Sequence, residues 1–120
     1  MNCRIQGALF GIAVGMIAAS MPASAAAAVE NEKFALNCVA CHGVDLHGIP
    51  GLGINLVTSG FVGGTSVPEL VAFLKTGRSP GIHGSAPMPA FAWLPDADLA
   101  DIATYIKGKH DARRRLDHSL

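Results

Sequence analysis

Residues 37–43 read NCVACHG, and the C-x-x-C-H string of Cys38, Cys41 and His42 constrains this chain more than any other feature. A zinc site would need four protein ligands, or three and an open position. Beyond residue 25 only these two cysteines remain, and no second ligand pair follows at finger-like spacing. A thioredoxin-like dithiol belongs beside a βαβ pattern, and no run in this chain reads as a strand. A chance disulfide or pair of free thiols is the bland alternative. C-x-x-C-H is also the string of c-type haem attachment. Two thiols about one helical turn apart can each form a thioether to a haem vinyl group. The adjacent histidine then presents its imidazole to the iron from the same side.

The amino-terminal residues agree with that chemistry. Arg4 is the only charged residue among the first 29, and the apolar run GALFGIAVGMIAA follows it. Pro22 and the small-residue string Ala23-Ser24-Ala25 come next. This pattern predicts a secretory signal peptide over residues 1–25, cleaved between about 25 and 28. An uncleaved anchor is the alternative, but the run is shorter than the roughly 20 strongly apolar residues of a span. Cys3 precedes the apolar run and would leave with the leader. Export to the periplasm follows, where covalent attachment keeps a haem in place. The remainder forms one domain over residues 26–107, with a basic, frayed tail over 108–120. So small a domain needs a staple or a cofactor to complete its core.

Charge divides the chain. Ala26 to Ile106 carries seven acidic and three basic residues, whereas Lys107 to Leu120 carries five basic and two acidic ones. An acidic body and an exported chain argue against nucleic acid as a partner. The Arg113-Arg114-Arg115 cluster reads as a solvated terminus or as a contact for an acidic partner or lipid surface.

The elements expected are few. ENEKFALNCVA (30–40) reads as a short helix with Phe34 one turn before Cys38. Residues 43 to 64 hold recurrent Gly and Pro with no sustained period, and a loop this long is functional or wrapped around something. Ser66 and Glu69 form an S-x-x-E capping box that starts a second helix, which Gly77 ends. A loop with four of the seven prolines follows. The last helix is expected from Asp96 to Lys107, with Leu99, Ile102, Ala103 and Ile106 on one face. Asp96, Asp98 and Asp101 are its solvated acids rather than an acid/base pair. The class is all-α, with three to five short helices and long loops.

A second axial ligand can be sought by elimination. Met1, Met16 and Met21 fall in the leader, which leaves Met88 in the proline-framed segment APMPAF. A core methionine normally sits on a helix face, and this one does not. His83 is the alternative ligand, and an open sixth position is the third possibility. His47 reads as a loop residue, and His110 and His118 as residues of the tail.

Cys38-Val39-Ala40-Cys41-His42, the loop GIPGLGINL, the MPAF segment and LPDADLADIATYI together resemble the class I bacterial cytochromes c. The resemblance spans about Glu30 to Lys107. It implies a small cytochrome c fold wrapped around one covalent haem c per chain, held by Cys38 and Cys41. His42 would be the proximal and Met88 the distal axial ligand. The first and last helices would cross near Phe34 and Tyr105. Arg78 and Trp93 would be propionate contacts, the alternatives being a solvated helix end for Arg78 and packing at the domain edge for Trp93. Relatives often carry Gly-Pro-x-Leu after the haem string, the proline carbonyl accepting the axial histidine's Nδ1 proton. This chain has Gly53-Ile54-Asn55-Leu56, so the Ile54 carbonyl would have to serve without proline's stiffness.

Two strong axial ligands leave no open position on an iron, which disfavours peroxide or gas chemistry and favours one-electron transfer. A five-coordinate haem protein that binds gases or reduces peroxide is the competing reading. The resemblance implies transient docking of a redox donor and a redox acceptor at the haem edge. The protein would be a soluble shuttle, or the cytochrome subunit of a dehydrogenase or respiratory complex. Contact with a membrane would come only through such a complex or an uncleaved leader.

Overall fold

The computed structural model describes residues 30–79 and 86–120. The leader and His83 lie outside these residues. The described chain is all-α, with five helices: α1 (Glu32–Asn37), α2 (Val39–His42), α3 (Gly60–Gly64), α4 (Val67–Thr76) and α5 (Asp96–Asp117). Among the described residues β pairing is limited to two isolated bridges, Ile49 with Gly53 and Arg78 with Met88. No described helix is long and apolar enough to cross a membrane.

The first expected helix is in fact two. The Asn31 side chain caps α1 by accepting the Phe34 N–H at 2.8 Å. Cys38 leaves the helical region at φ −121° and restarts the chain as α2. The break lets Cys38, Cys41 and His42 project together from one short segment. Phe34 is fully buried and meets the Tyr105 ring at 5.3 Å and 58°. This tilted aromatic contact carries the crossing of α1 and α5. Lys33 reinforces it from outside, 2.9 Å from Asp98 and 3.1 Å from Asp101.

α4 begins and ends where the capping signals place it. The Glu69 carboxylate takes the Ser66 N–H at 2.8 Å and its hydroxyl at 2.6 Å. Gly77 closes the helix at φ +67°. A Cβ there would sit 2.7 Å from the Pro89 carbonyl carbon, so glycine is required for space as well as for φ.

α3 was not expected. Its sequence, GFVGG, is poor helix material. Its N-cap and two side chains of α5 hold it. Ser59 Oγ accepts the Val62 N–H at 3.3 Å, and Lys107 Nζ donates to the Val62 and Gly63 carbonyls at 2.9 Å each. The His110 ring lies so near Gly63 that a Cβ would be 2.8 Å from its Cε1.

The same contacts correct the reading of the last helix. α5 does not stop at Lys107 but continues for ten residues to Asp117. Gly108 weakens a helix by about 1 kcal/mol relative to alanine. Beyond it, burial of His110 (4% exposed) offsets that cost, with a Lys109–Glu30 pair at 2.6 Å and an Arg113–Asp117 pair at 3.1 Å. His110 therefore belongs to the packed body. Leu99, Ile102, Ala103 and Ile106 occupy the core as their spacing predicts.

Candidate functional site

A cleft of about 980 Å³, mouth included, is walled by α2, the 52–56 loop, α3, α4 and the 86–91 segment. Cys38, Cys41, His42, Met88 and Arg78 all reach its wall, so the structure brings together five of the six residues singled out in the sequence. Trp93 does not join them. It is 69% exposed and meets Phe91 at a tilt, with ring centroids 6.3 Å apart. Phe91, rather than Trp93, lines the cleft.

Cys38 is buried and Cys41 half-buried, and no disulfide joins them. Burial, with a smaller contribution from neighbouring Cys41, pushes the Cys38 thiol up to about 12. Nδ1 of His42 lies 2.9 Å from the Ile54 carbonyl oxygen. A carbonyl can only accept, so Nδ1 carries the proton and Nε2 keeps its lone pair. Burial lowers the imidazole pKa, against the opposing pull of the Ile54 carbonyl. A neutral, oriented imidazole is the form that ligates a metal.

The proline missing from the loop is replaced by close backbone packing. Gly48 N–H bonds to the His42 carbonyl at 2.8 Å, and Ile49 N–H to that of Cys41 at 3.1 Å. Gly48 adopts φ +82°, and a Cβ on it would lie 2.7 Å from the Ile54 carbonyl carbon. A Cβ on Gly53 would collide with the Cys41 carbonyl and stand 3.1 Å from His42 Nδ1. Two glycines thus let the loop lie directly on α2, which puts the Ile54 carbonyl within reach. Asn55 then turns the chain inward, its Oδ1 accepting from Val57 N–H at 2.9 Å and Thr58 N–H at 3.0 Å.

Met88 is fixed differently. Pro87 and Pro89 have no N–H, so Met88 holds the only donor of the three, and it bonds to the Arg78 carbonyl at 2.9 Å. The Arg78 N–H returns a bond to the Met88 carbonyl at 2.8 Å. Ala86 N–H bonds to the Gly51 carbonyl at 3.1 Å, and Phe91 N–H to that of Leu74 at 2.8 Å. Sequence reasoning missed this clamp, and it missed the Lys107 and His110 contacts on α3. No local pattern marks a partner distant in the chain. The glycines of GIPGLGINL were the one legible sign of close approach.

The cleft residues suit a haem. Leu52, Ile54 and Phe61 are 46%, 36% and 45% exposed, and all three line the cleft. A large apolar group seated there would cover them, at about 25 cal/mol gained per Å² of apolar surface removed from water. Two thiols and an imidazole with a free Nε2 reach that apolar wall together, with a thioether from a separate segment.

This fold and this site define a c-type cytochrome domain, a haem-binding module of electron transfer. Residues 25–106 match the family model described as cytochrome C oxidase, cbb3-type, subunit III, and the chain belongs to that family. Comparison with curated proteins and with solved structures gives no match.

Proposed function

We propose that the protein is a periplasmic one-electron carrier with a single covalently bound haem c, six-coordinate through His42 and Met88. The observation that carries this reading is the convergence of Cys38, Cys41, His42 and Met88 on one apolar cleft, with His42 Nδ1 occupied by Ile54. The group supplies, when bound, a metal that alternates between two oxidation states one electron apart. Cys38 and Cys41 would hold it through thioethers, and the Ile54 carbonyl keeps the imidazole oriented. The two-bond clamp with Arg78 would fix Met88 with little freedom to reorganise. Leu70, Phe73, Leu74 and Ile106 exclude water from the inner wall. Arg78, exposed at the cleft, would neutralise a propionate, and Trp93 would reach one only from the rim. The carrier would work as a shuttle or within a respiratory complex, and the family makes an oxidase complex the first to examine.

The test is an optical spectrum of protein expressed in a periplasm, oxidised and reduced, with carbon monoxide added last. Low-spin ferrous bands, a near-infrared ferric sulfur-to-iron band and no carbon monoxide shift are expected. A high-spin spectrum that shifts readily with carbon monoxide would remove Met88 as a ligand and turn attention to gas and peroxide chemistry.

A further inference from the structure

Beyond Ile106, α5 leaves the acidic body and becomes basic. Lys107, Asp111, Arg114, Arg115 and His118 follow at offsets of 4, 7, 8 and 11 residues and border one shallow crevice along the helix. Their charges are not equally available. Lys107 is spent on the α3 carbonyls, and Arg113, off this face, pairs with Asp117. Arg114 and Arg115 are exposed and make no ion pair among the described residues. We propose that this face of α5 is a docking site for an acidic electron-transfer protein, a reading that rests on the electron-carrier function above.

Position supports the assignment. Ile106 and the α3 residues Phe61 and Val62 line the cleft, and Lys107 joins the basic face to α3. Arg114 is eight residues beyond Ile106, about 12 Å along the helix. A partner held by Arg114 and Arg115 would meet the part of α5 that continues from Lys107, whose side chain is tied to α3, an element that lines the cleft. Charge supports it as well. The body carries seven acids against three bases, so an acidic partner finds more favourable charge at the arginines than on the body. An anionic bilayer fits less well. The segment has no apolar face to insert, since Leu116 and Leu120 are its only large exposed apolar residues. Asp111 and Asp117 also interrupt the positive charge, which suits the spaced carboxylates of a protein surface better than a uniform anionic plane.

Plant-type ferredoxin, an acidic one-electron iron–sulfur protein of low potential, is the probe. Its binding in oxidised form to the holoprotein is measured by calorimetry at low and high salt, for wild type and for the Arg114→Gln/Arg115→Gln double variant. Stopped-flow reduction of the holoprotein is followed with reduced ferredoxin and with a neutral hydroquinone. One electron leaves the iron–sulfur cluster, and ferric haem becomes ferrous. The expected result is binding that salt weakens. The double variant should lose about tenfold in the low-salt rate with ferredoxin and nothing with the hydroquinone. Equal binding and equal rates in both proteins would overturn the proposal. So would arginine-dependent sedimentation with phosphatidylserine vesicles and no ferredoxin binding, which would make the face a membrane contact. Arginine-dependent binding to a protein that the hydroquinone cannot reduce would leave the docking face standing and sink the electron-carrier reading instead.

Discussion

Two segments bring the proposed ligand atoms to the cleft, and they are built on opposite principles. The 38–42 segment is local. Cys38, Cys41 and His42 lie within five residues, and only the orientation of the imidazole relies on another segment, through the Ile54 carbonyl at 2.9 Å. The 86–91 segment is non-local. Met88 lies on no helix and is fixed by exchanged backbone bonds with Arg78, ten residues earlier, while its neighbours Ala86 and Phe91 bond to Gly51 and Leu74. The spacing of the first three side chains depends on one short stretch of chain, with one loop contact to orient the imidazole. The second segment depends on three parts of the chain staying in register. A thioether is the weaker ligand and sits on the more dependent segment, so Met88 is where the coordination should yield first.

Removing the thiols gives the sharpest contrast. Cys38→Ala/Cys41→Ala should abolish covalently retained haem, read as loss of haem staining on a denaturing gel. Staining equal to wild type would break the assignment of these thiols. Met88→Ala should keep that staining in full. It should lose the near-infrared band, admit carbon monoxide and lower the midpoint potential, because only the distant segment is altered.

Backbone variants separate the segments by stability. Gly53→Ala drives a Cβ into the Cys41 carbonyl, and overpacking of this kind costs about 2–3 kcal/mol. Urea denaturation of the holoprotein reads the loss, and an unchanged midpoint would mean that the loop does not rest on α2. Lys107→Met removes a charged donor from two carbonyls. It should cost about 1.5 kcal/mol and expose Val62 N–H and Gly63 N–H to faster hydrogen exchange, with Met88 signals unaffected.

The smallest effect is a pH dependence at the α4 cap. The Ser66 hydroxyl and N–H hold the Glu69 carboxyl below its ordinary value. A lowered folded pKa means that the stabilisation is complete above the unfolded value and fades as pH falls through the folded one. Glu69→Gln should therefore narrow the stability difference between pH 6 and pH 3 slightly, as read from paired thermal melts. A variant whose pH dependence matches wild type would take the carboxylate out of the cap.

What the sequence determined by itself is what adjacent residues can encode. C-x-x-C-H places two thiols and an imidazole on one turn whatever surrounds them. Ser66-x-x-Glu69 and Gly77 bound α4 because a cap is made by residues within four positions. The Leu99-Ile102-Ala103-Ile106 spacing put one face of α5 in the core. Tertiary structure decided the rest. α3 exists because Lys107 and His110, more than forty residues away, satisfy and cover a Gly-rich turn of little intrinsic helicity. α5 runs past Gly108 for the reciprocal reason, as burial of His110 outweighs a local propensity cost. The distal segment is set by Arg78 rather than by its prolines alone, since a proline fixes its own φ but cannot choose the strand it faces. Local chemistry is written in neighbouring letters, whereas a contact across the fold is written in none of them until the chain has closed.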